Sequence, residues 1–153
     1  WVFAHNGDLK NFAPKLHAHF QPIGNTDSEL AFCWIMQELW KSHAGVPSIE
    51  ELTHTLRELA AKIAPHGTFN FLLSNGEALW AHANTFLCYT ERAHPFSQAQ
   101  LSDEDLSIDF ATCTTPQDRV AVVVTAPLTT NEQWTPFQPG ELMVFADGRR
   151  LAL

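Results

Sequence analysis

The chain has 153 residues, is 45% hydrophobic and 17% charged, and carries nine Lys and Arg against seventeen Asp and Glu, a net charge of -8. That length and apolar content fit one folded domain with its own core and exclude a disordered segment. The acidic balance excludes a nucleic-acid backbone or an anionic membrane as the main partner, since both need clustered cations and the Arg149–Arg150 pair is too short to supply them.

No apolar run reaches the length of a membrane span. The three cysteines, Cys33, Cys88 and Cys113, are far apart and form no C-x-x-C pair. They are expected to be small core residues of a protein kept reduced in the cytoplasm.

Residues 1–5, WVFAH, read as a strand. It is apolar on both faces, so it belongs in the middle of a sheet and needs neighbours. With Trp1 in place of a starting Met, the chain is expected to be the C-terminal part of a longer domain. Residues 8–25 have no clean period and carry Pro14, Pro22 and Gly24, as a loop with at most one helical turn would. Thr26-Asp27-Ser28-Glu29 has the form of a capping box. The run LAFCWIMQELW behind it is apolar nearly all round, which predicts a helix sandwiched between layers.

Gly45 and Pro47 end that helix, and Ser48-Ile49-Glu50-Glu51 is a second capping box. Leu52, Leu56, Leu59 and Ile63 then recur at helical spacing to about Ala64, with Glu51, Thr55, Arg57, Glu58 and Lys62 on the solvent face.

From residue 69 the period becomes that of strands. FNFLLS and EALWAH flank Asn75-Gly76, the pair best suited to the positive φ of a two-residue type I′ turn. TFLCYTER extends the meander, and DEDLSIDF adds one short strand in a polar, Pro-containing stretch. RVAVVVTA is a core strand, and ELMVFADGRRLAL closes as a hairpin at Asp147-Gly148. One strand, two helices and many strands make an α+β fold with a largely antiparallel sheet.

Asn6-Gly7 differs from Asn75-Gly76. DLKNFAPK follows it, without alternation and with a proline, so no hairpin is expected. A glycine at the end of a strand can turn its backbone N–H toward a ligand, and the adjoining Asn amide supplies a second donor. Two converging N–H donors are what acyl transfer needs to hold a developing oxyanion. The dipeptide alone is also what a plain strand-ending turn requires. Asp27 likewise has a local explanation, as an acidic residue at the positive end of a helix dipole.

His-Asn-Gly-Asp-Leu at a strand end, followed by Gly-Asn-Thr-Asp-Ser-Glu-Leu opening a helix, resembles the class II glutamine amidotransferases. FNFLLSNGEALWAH and VAVVVTAPLTTNEQWTPFQPGELMVF are similar to their stand-alone, YafJ-like branch. The resemblance covers nearly the whole chain. It implies an incomplete four-layer αββα N-terminal-nucleophile hydrolase sandwich, here a single domain over residues 1–153. By that resemblance Asn6 and Gly7 form the oxyanion hole, and Asp27 holds the α-amino group of glutamine. His5 occupies the adjoining motif position without an assigned step.

The family's chemistry starts from an N-terminal Cys whose thiol attacks the glutamine amide, with its own α-amine as general base. Residue 1 here is Trp. None of the three cysteines can offer a free α-amine, and the family's carboxylate-clamping Arg is missing too. The implied full-length enzyme releases ammonia from glutamine or a γ-glutamyl amide. Its acceptor is water or a separate synthase, with no synthase domain expected after the last hairpin. The alternatives are a non-catalytic module binding a γ-glutamyl or amino-acid ligand, and a γ-glutamyl peptide hydrolase.

No cofactor and no metal are expected. His17-Ala-His19 has no partner at ligand spacing, and Asp103, Glu104, Asp105 and Asp109 lack the calcium-loop pattern and read as a solvated loop. Phe32, Trp34 and Trp40 read as core. The purified 153-residue chain is expected to release no ammonia from glutamine; detection of that ammonia in a coupled assay would show a complete site within it.

Overall fold

The computed structural model describes residues 1–103 and 106–153. Strand β1 (Val2–Leu9) is followed by helices α1 (Asp27–Ser42) and α2 (Ile49–Ile63) and strands β2 (Gly67–Ser74), β3 (Leu79–Ala83) and β4 (Cys88–Ala93). Then come β5 (Gln98–Gln100), β6 (Ser107–Asp109), β7 (Arg119–Val124), β8 (Thr135–Pro136), β9 (Glu141–Ala146) and β10 (Arg149–Leu151). They form an antiparallel five-stranded sheet, β1-β2-β3-β9-β10, a three-stranded sheet, β7-β4-β8, and the β5-β6 ribbon.

The helices lie on one face of the large sheet. Leu52, Leu56, Leu59 and Ile63 of α2 and Ala31, Ile35 and Leu39 of α1 pack on Phe69, Phe71, Leu73, Trp80 and Val144. The opposite face meets the small sheet through Ala81, Ala83, Leu87, Tyr89, Phe137, Met143 and Phe145. The described residues thus form a helical layer and two facing sheets. A second helical layer, as in a four-layer sandwich, is not among them.

Several elements follow their local signals. Ser48 Oγ accepts the Glu51 N–H at 3.2 Å, and the Glu51 carboxylate accepts the Ser48 N–H at 2.8 Å, completing the capping box. Asp147 and Gly148 have φ of +50° and +70°, the backbone of a type I′ turn between β9 and β10. The short strand predicted in DEDLSIDF is β6, although Glu104 and Asp105 of that motif lie outside the described residues.

Others differ. β1 runs to Leu9, through Asn6-Gly7, and among the described residues it pairs on one side only, with β2. Half of its apolar residues face outward, with Val2 72% exposed. At α1, Thr26 caps the Glu29 N–H at 3.2 Å, but Glu29 reaches past the cap to the Ile23 and Gly24 N–H groups at 2.7 and 2.8 Å. The first predicted box is therefore half formed, and its acid fixes the preceding loop. α1 is also not sandwiched, since Trp40 on its outer face is 67% exposed.

Thr55, predicted on the solvent face of α2, is buried. It donates to the Glu51 carbonyl and accepts from His43 Nε2. Asn75-Gly76 does lie between paired strands, but the connection is four residues long. The Asn75 side chain accepts the Glu77 and Ala78 N–H groups, and only Gly76 has positive φ. β7 is a half-buried edge strand, with Val120 41% exposed, and Cys113 is exposed.

The meander breaks after β3. Buried Asn70 accepts the Asn84 and Thr85 N–H groups at 2.9 Å each and donates to Thr85 Oγ1 at 2.8 Å. That grip turns the chain out of the large sheet, and β4 joins the small one.

Helix and sheet are joined by a polar bond within the core. The fully buried Trp80 indole donates to Thr53 Oγ1 at 2.8 Å, and that hydroxyl donates to the Ile49 carbonyl at 2.6 Å. Thr53→Val keeps the shape and leaves the indole N–H without a partner. It should cost about 1–3 kcal/mol in urea denaturation of the full-length protein; an unchanged midpoint would show that the bond contributes nothing net.

Candidate active site

The candidate site is built on the side of β1 that faces away from β2. Backbone polar groups along a strand point alternately to its two edges. In β2, the Phe69 N–H goes to Asn84 Oδ1 at 3.1 Å, and its carbonyl accepts from His82 Nδ1 at 2.9 Å. Phe69 therefore turns its polar groups away from β1. Its register partner is Gly7. The Gly7–Phe69 pair is thus of the non-hydrogen-bonded kind, and the Gly7 N–H points outward from the sheet.

The same alternation sends the Leu9 N–H outward, where the Asp27 carboxylate accepts it through Oδ2 at 2.7 Å. Asp27 Oδ1 accepts the Ser28 N–H at 2.8 Å. Two backbone donors, one from β1 and one from α1, fix the carboxylate.

Burial draws the Asp27 pKa up. The Leu9 and Ser28 N–H groups, the His5 ring and the Ser28 hydroxyl outweigh it and hold the carboxyl below its usual range. Successive residues of a strand advance about 3.3–3.4 Å, so the Gly7 and Leu9 nitrogens stand about 7 Å apart along one edge.

Asn6 completes the group from the other face of the sheet. With Ala4, Asn70 and Leu72 it lines a cleft of about 190 Å³ closed by Leu87 and Val123–Thr125 of the second sheet. Its side chain is exposed and makes no hydrogen bond among the described residues. The structure brings Asn6, Gly7 and Asp27 to one stretch of edge, with Asn6 on the face opposite the helices. The strand does not end at Gly7 as predicted: it continues to Leu9, and among the described residues the Gly7 N–H has no backbone partner.

Gly7 is also required by packing. A Cβ there would overlap the Thr68 carbonyl oxygen, lie 2.6 Å from its carbon and come 2.7 Å from His5 Nε2. No side chain fits between β1 and β2 at this point.

Sequence reading did not find the link beneath the site. His5 faces the helices and lies 2.9 Å from Ser28 Oγ through Nδ1 and 3.0 Å from the Thr68 carbonyl through Nε2. Strand alternation, which puts His5 on the face of Leu9, and the adjacency of Ser28 to Asp27 were the available signals.

A larger cleft of about 530 Å³ lies along β4. Within it Arg92 grips Glu132 at 2.6 and 2.7 Å, Glu132 accepts from Thr129 Oγ1, and Glu91 accepts the Arg150 backbone N–H. It shares no residue with the β1 edge.

Comparison with known proteins assigns the chain to a family. The model of the class II glutamine amidotransferases matches residues 1–153, and the chain belongs to that family. It is 44% identical over 153 residues to a Haemophilus influenzae protein named "Putative glutamine amidotransferase", covering 99% of this chain and 52% of that protein. It is 40% identical over 152 residues to the Escherichia coli protein named "Putative glutamine amidotransferase YafJ", covering 99% and 60%. The crystal structure of a predicted glutamine amidotransferase from Pseudomonas aeruginosa superposes with a TM-score of 0.87 at 39% identity, over 99% of this chain and 59% of that one. The chain spans a little over half the length of these relatives.

Because the folded pKa of Asp27 is depressed, its ionised form stabilises the fold above the unfolded value of about 3.9. That contribution is lost as pH falls through the lower, folded value. Asp27→Asn should make the stability of the full-length protein less dependent on pH below about 4. Urea midpoints at neutral and acid pH check this, and equal slopes in variant and wild type would contradict it.

Proposed function

We propose that the full-length protein releases ammonia from the side-chain amide of glutamine along the side of β1 that faces away from β2. The observation that carries this is a shared direction: the Gly7 N–H and the Leu9 N–H that holds the Asp27 carboxylate point the same way, their nitrogens about 7 Å apart. In glutamine the ammonium nitrogen and the amide oxygen are five bonds apart, about 6 Å when extended. The ammonium pairs with Asp27 while the amide oxygen lies at Gly7 N–H, with the Asn6 amide as second donor.

The relatives are nearly twice as long as this chain, and the attacking thiol, its α-amine base and the clamp on the glutamine carboxylate come from outside the 153 residues. The thiol adds to the amide carbon and its proton passes to the amine. Negative charge gathers on the former carbonyl oxygen, where the Gly7 and Asn6 donors stabilise it. Collapse breaks the C–N bond, the amine returns the proton to the leaving nitrogen, and ammonia departs. Water then splits the thioester to glutamate. The fold of the whole is a four-layer N-terminal-nucleophile sandwich, to which this chain gives one helical layer and both sheets. The ammonia passes to water or to a separate acceptor enzyme.

Asn6→Ala in the full-length protein should lower kcat by about 10²–10³. KM should stay close to wild type, because the donor acts on charge formed in the transition state. Steady-state glutaminase kinetics measure both, and a variant with wild-type kcat would remove Asn6 from this role.

A further inference from the structure

We propose that His5 is a positioning residue that governs the affinity of Asp27 for the substrate ammonium through the Ser28 hydroxyl. This rests on the assignment of Asp27 as the ammonium-binding group. The Thr68 carbonyl can only accept, so His5 Nε2, 3.0 Å away, carries a proton. In the neutral ring Nδ1 is then an acceptor. The single Ser28 hydroxyl proton goes to it at 2.9 Å rather than to Asp27 Oδ1 at 3.4 Å.

The neutral ring thus keeps the hydroxyl off the carboxylate. The two short bonds on Asp27 are then those from backbone donors, one on each oxygen, with Ser28 Oγ farther off at 3.4 Å, and both oxygens retain lone pairs for an ammonium. When the ring gains a second proton, Nδ1–H donates to Ser28 Oγ. The hydroxyl proton is released from Nδ1 and turns to Asp27 Oδ1. The carboxylate then has an added donor and a cation behind it, and both compete with the incoming ammonium.

The geometry makes this a property of the one ring. Asp27 of α1 is the charged group set against it. β2 presents the Thr68 carbonyl and the Phe69 ring, and β1 the Phe3 ring. Asp27 stays ionised through the range in which an imidazole titrates, since its own carboxyl lies below the usual carboxylate range.

The test is the pH profile of KM for glutamine in the full-length protein, from about pH 5 to pH 8. KM should rise about tenfold toward acid pH in the wild type, within the usual range of coupling between two sites. Ser28→Ala should flatten that rise, and Ser28→Thr, which keeps the hydroxyl, should restore it. An acid limb unchanged in Ser28→Ala, or absent from the wild type, overturns the proposal.

Ring ¹⁵N shifts of His5 test the proton placement without any activity. At neutral pH, Nε2 should be protonated and Nδ1 not; the reverse tautomer overturns the proposal even where Ser28→Ala does not fold. Asp27→Asn separates the two levels. It should raise glutamine KM at every pH, and a wild-type KM in that variant sinks the assignment of Asp27 itself rather than the His5 link alone.

Discussion

The Asp27 carboxylate holding the Leu9 N–H is the interaction on which the site depends. On its side away from β2, β1 carries a row of backbone groups with no backbone partner among the described residues. Here the first residue of α1 caps one of those groups and ties the helix start to the strand end. The tie fixes where α1 begins against β1. It also sets a negative charge beside a row of N–H groups that point the same way. Two residues back along that row is Gly7.

Fold and chemistry share this arrangement. The large sheet carries the core, with Phe69 and Phe71 of β2 packed beneath α1 and α2. The register that buries Phe69 turns its N–H to Asn84 and thereby turns the Gly7 N–H outward. Asn70 works at the same place on the opposite face, gripping Asn84 and Thr85 so that β4 crosses to the second sheet and the cleft opens beside Asn6. Gly7 then answers two demands. Its lack of a side chain lets β1 close against Thr68, and its N–H points away from β2.

Much of this was legible from local signals and some was not. The second capping box, the β9–β10 turn and the amphipathic face of α2 are local, because neighbours within four residues decide them. The extent of β1 was not: only the tertiary pairing carries the strand through Asn6-Gly7 to Leu9. Glu29 and Thr55 misled in a similar way. A capping acid has more than one set of N–H groups in reach, and a threonine can be buried once its hydroxyl finds the helix carbonyl behind it. The proposed site residues were legible as motif positions. Their geometry came from register, and the His5–Ser28 link from contact between elements 23 residues apart, which no local pattern encodes.

A crystal structure of the full-length protein with glutamate bound tests the central claim most directly. The predicted result places the ammonium within hydrogen-bond distance of Asp27 and a side-chain carboxylate oxygen on the Gly7 N–H and the Asn6 amide. Glutamate in the cleft along β4, or a Gly7 N–H already paired with another strand, would contradict it.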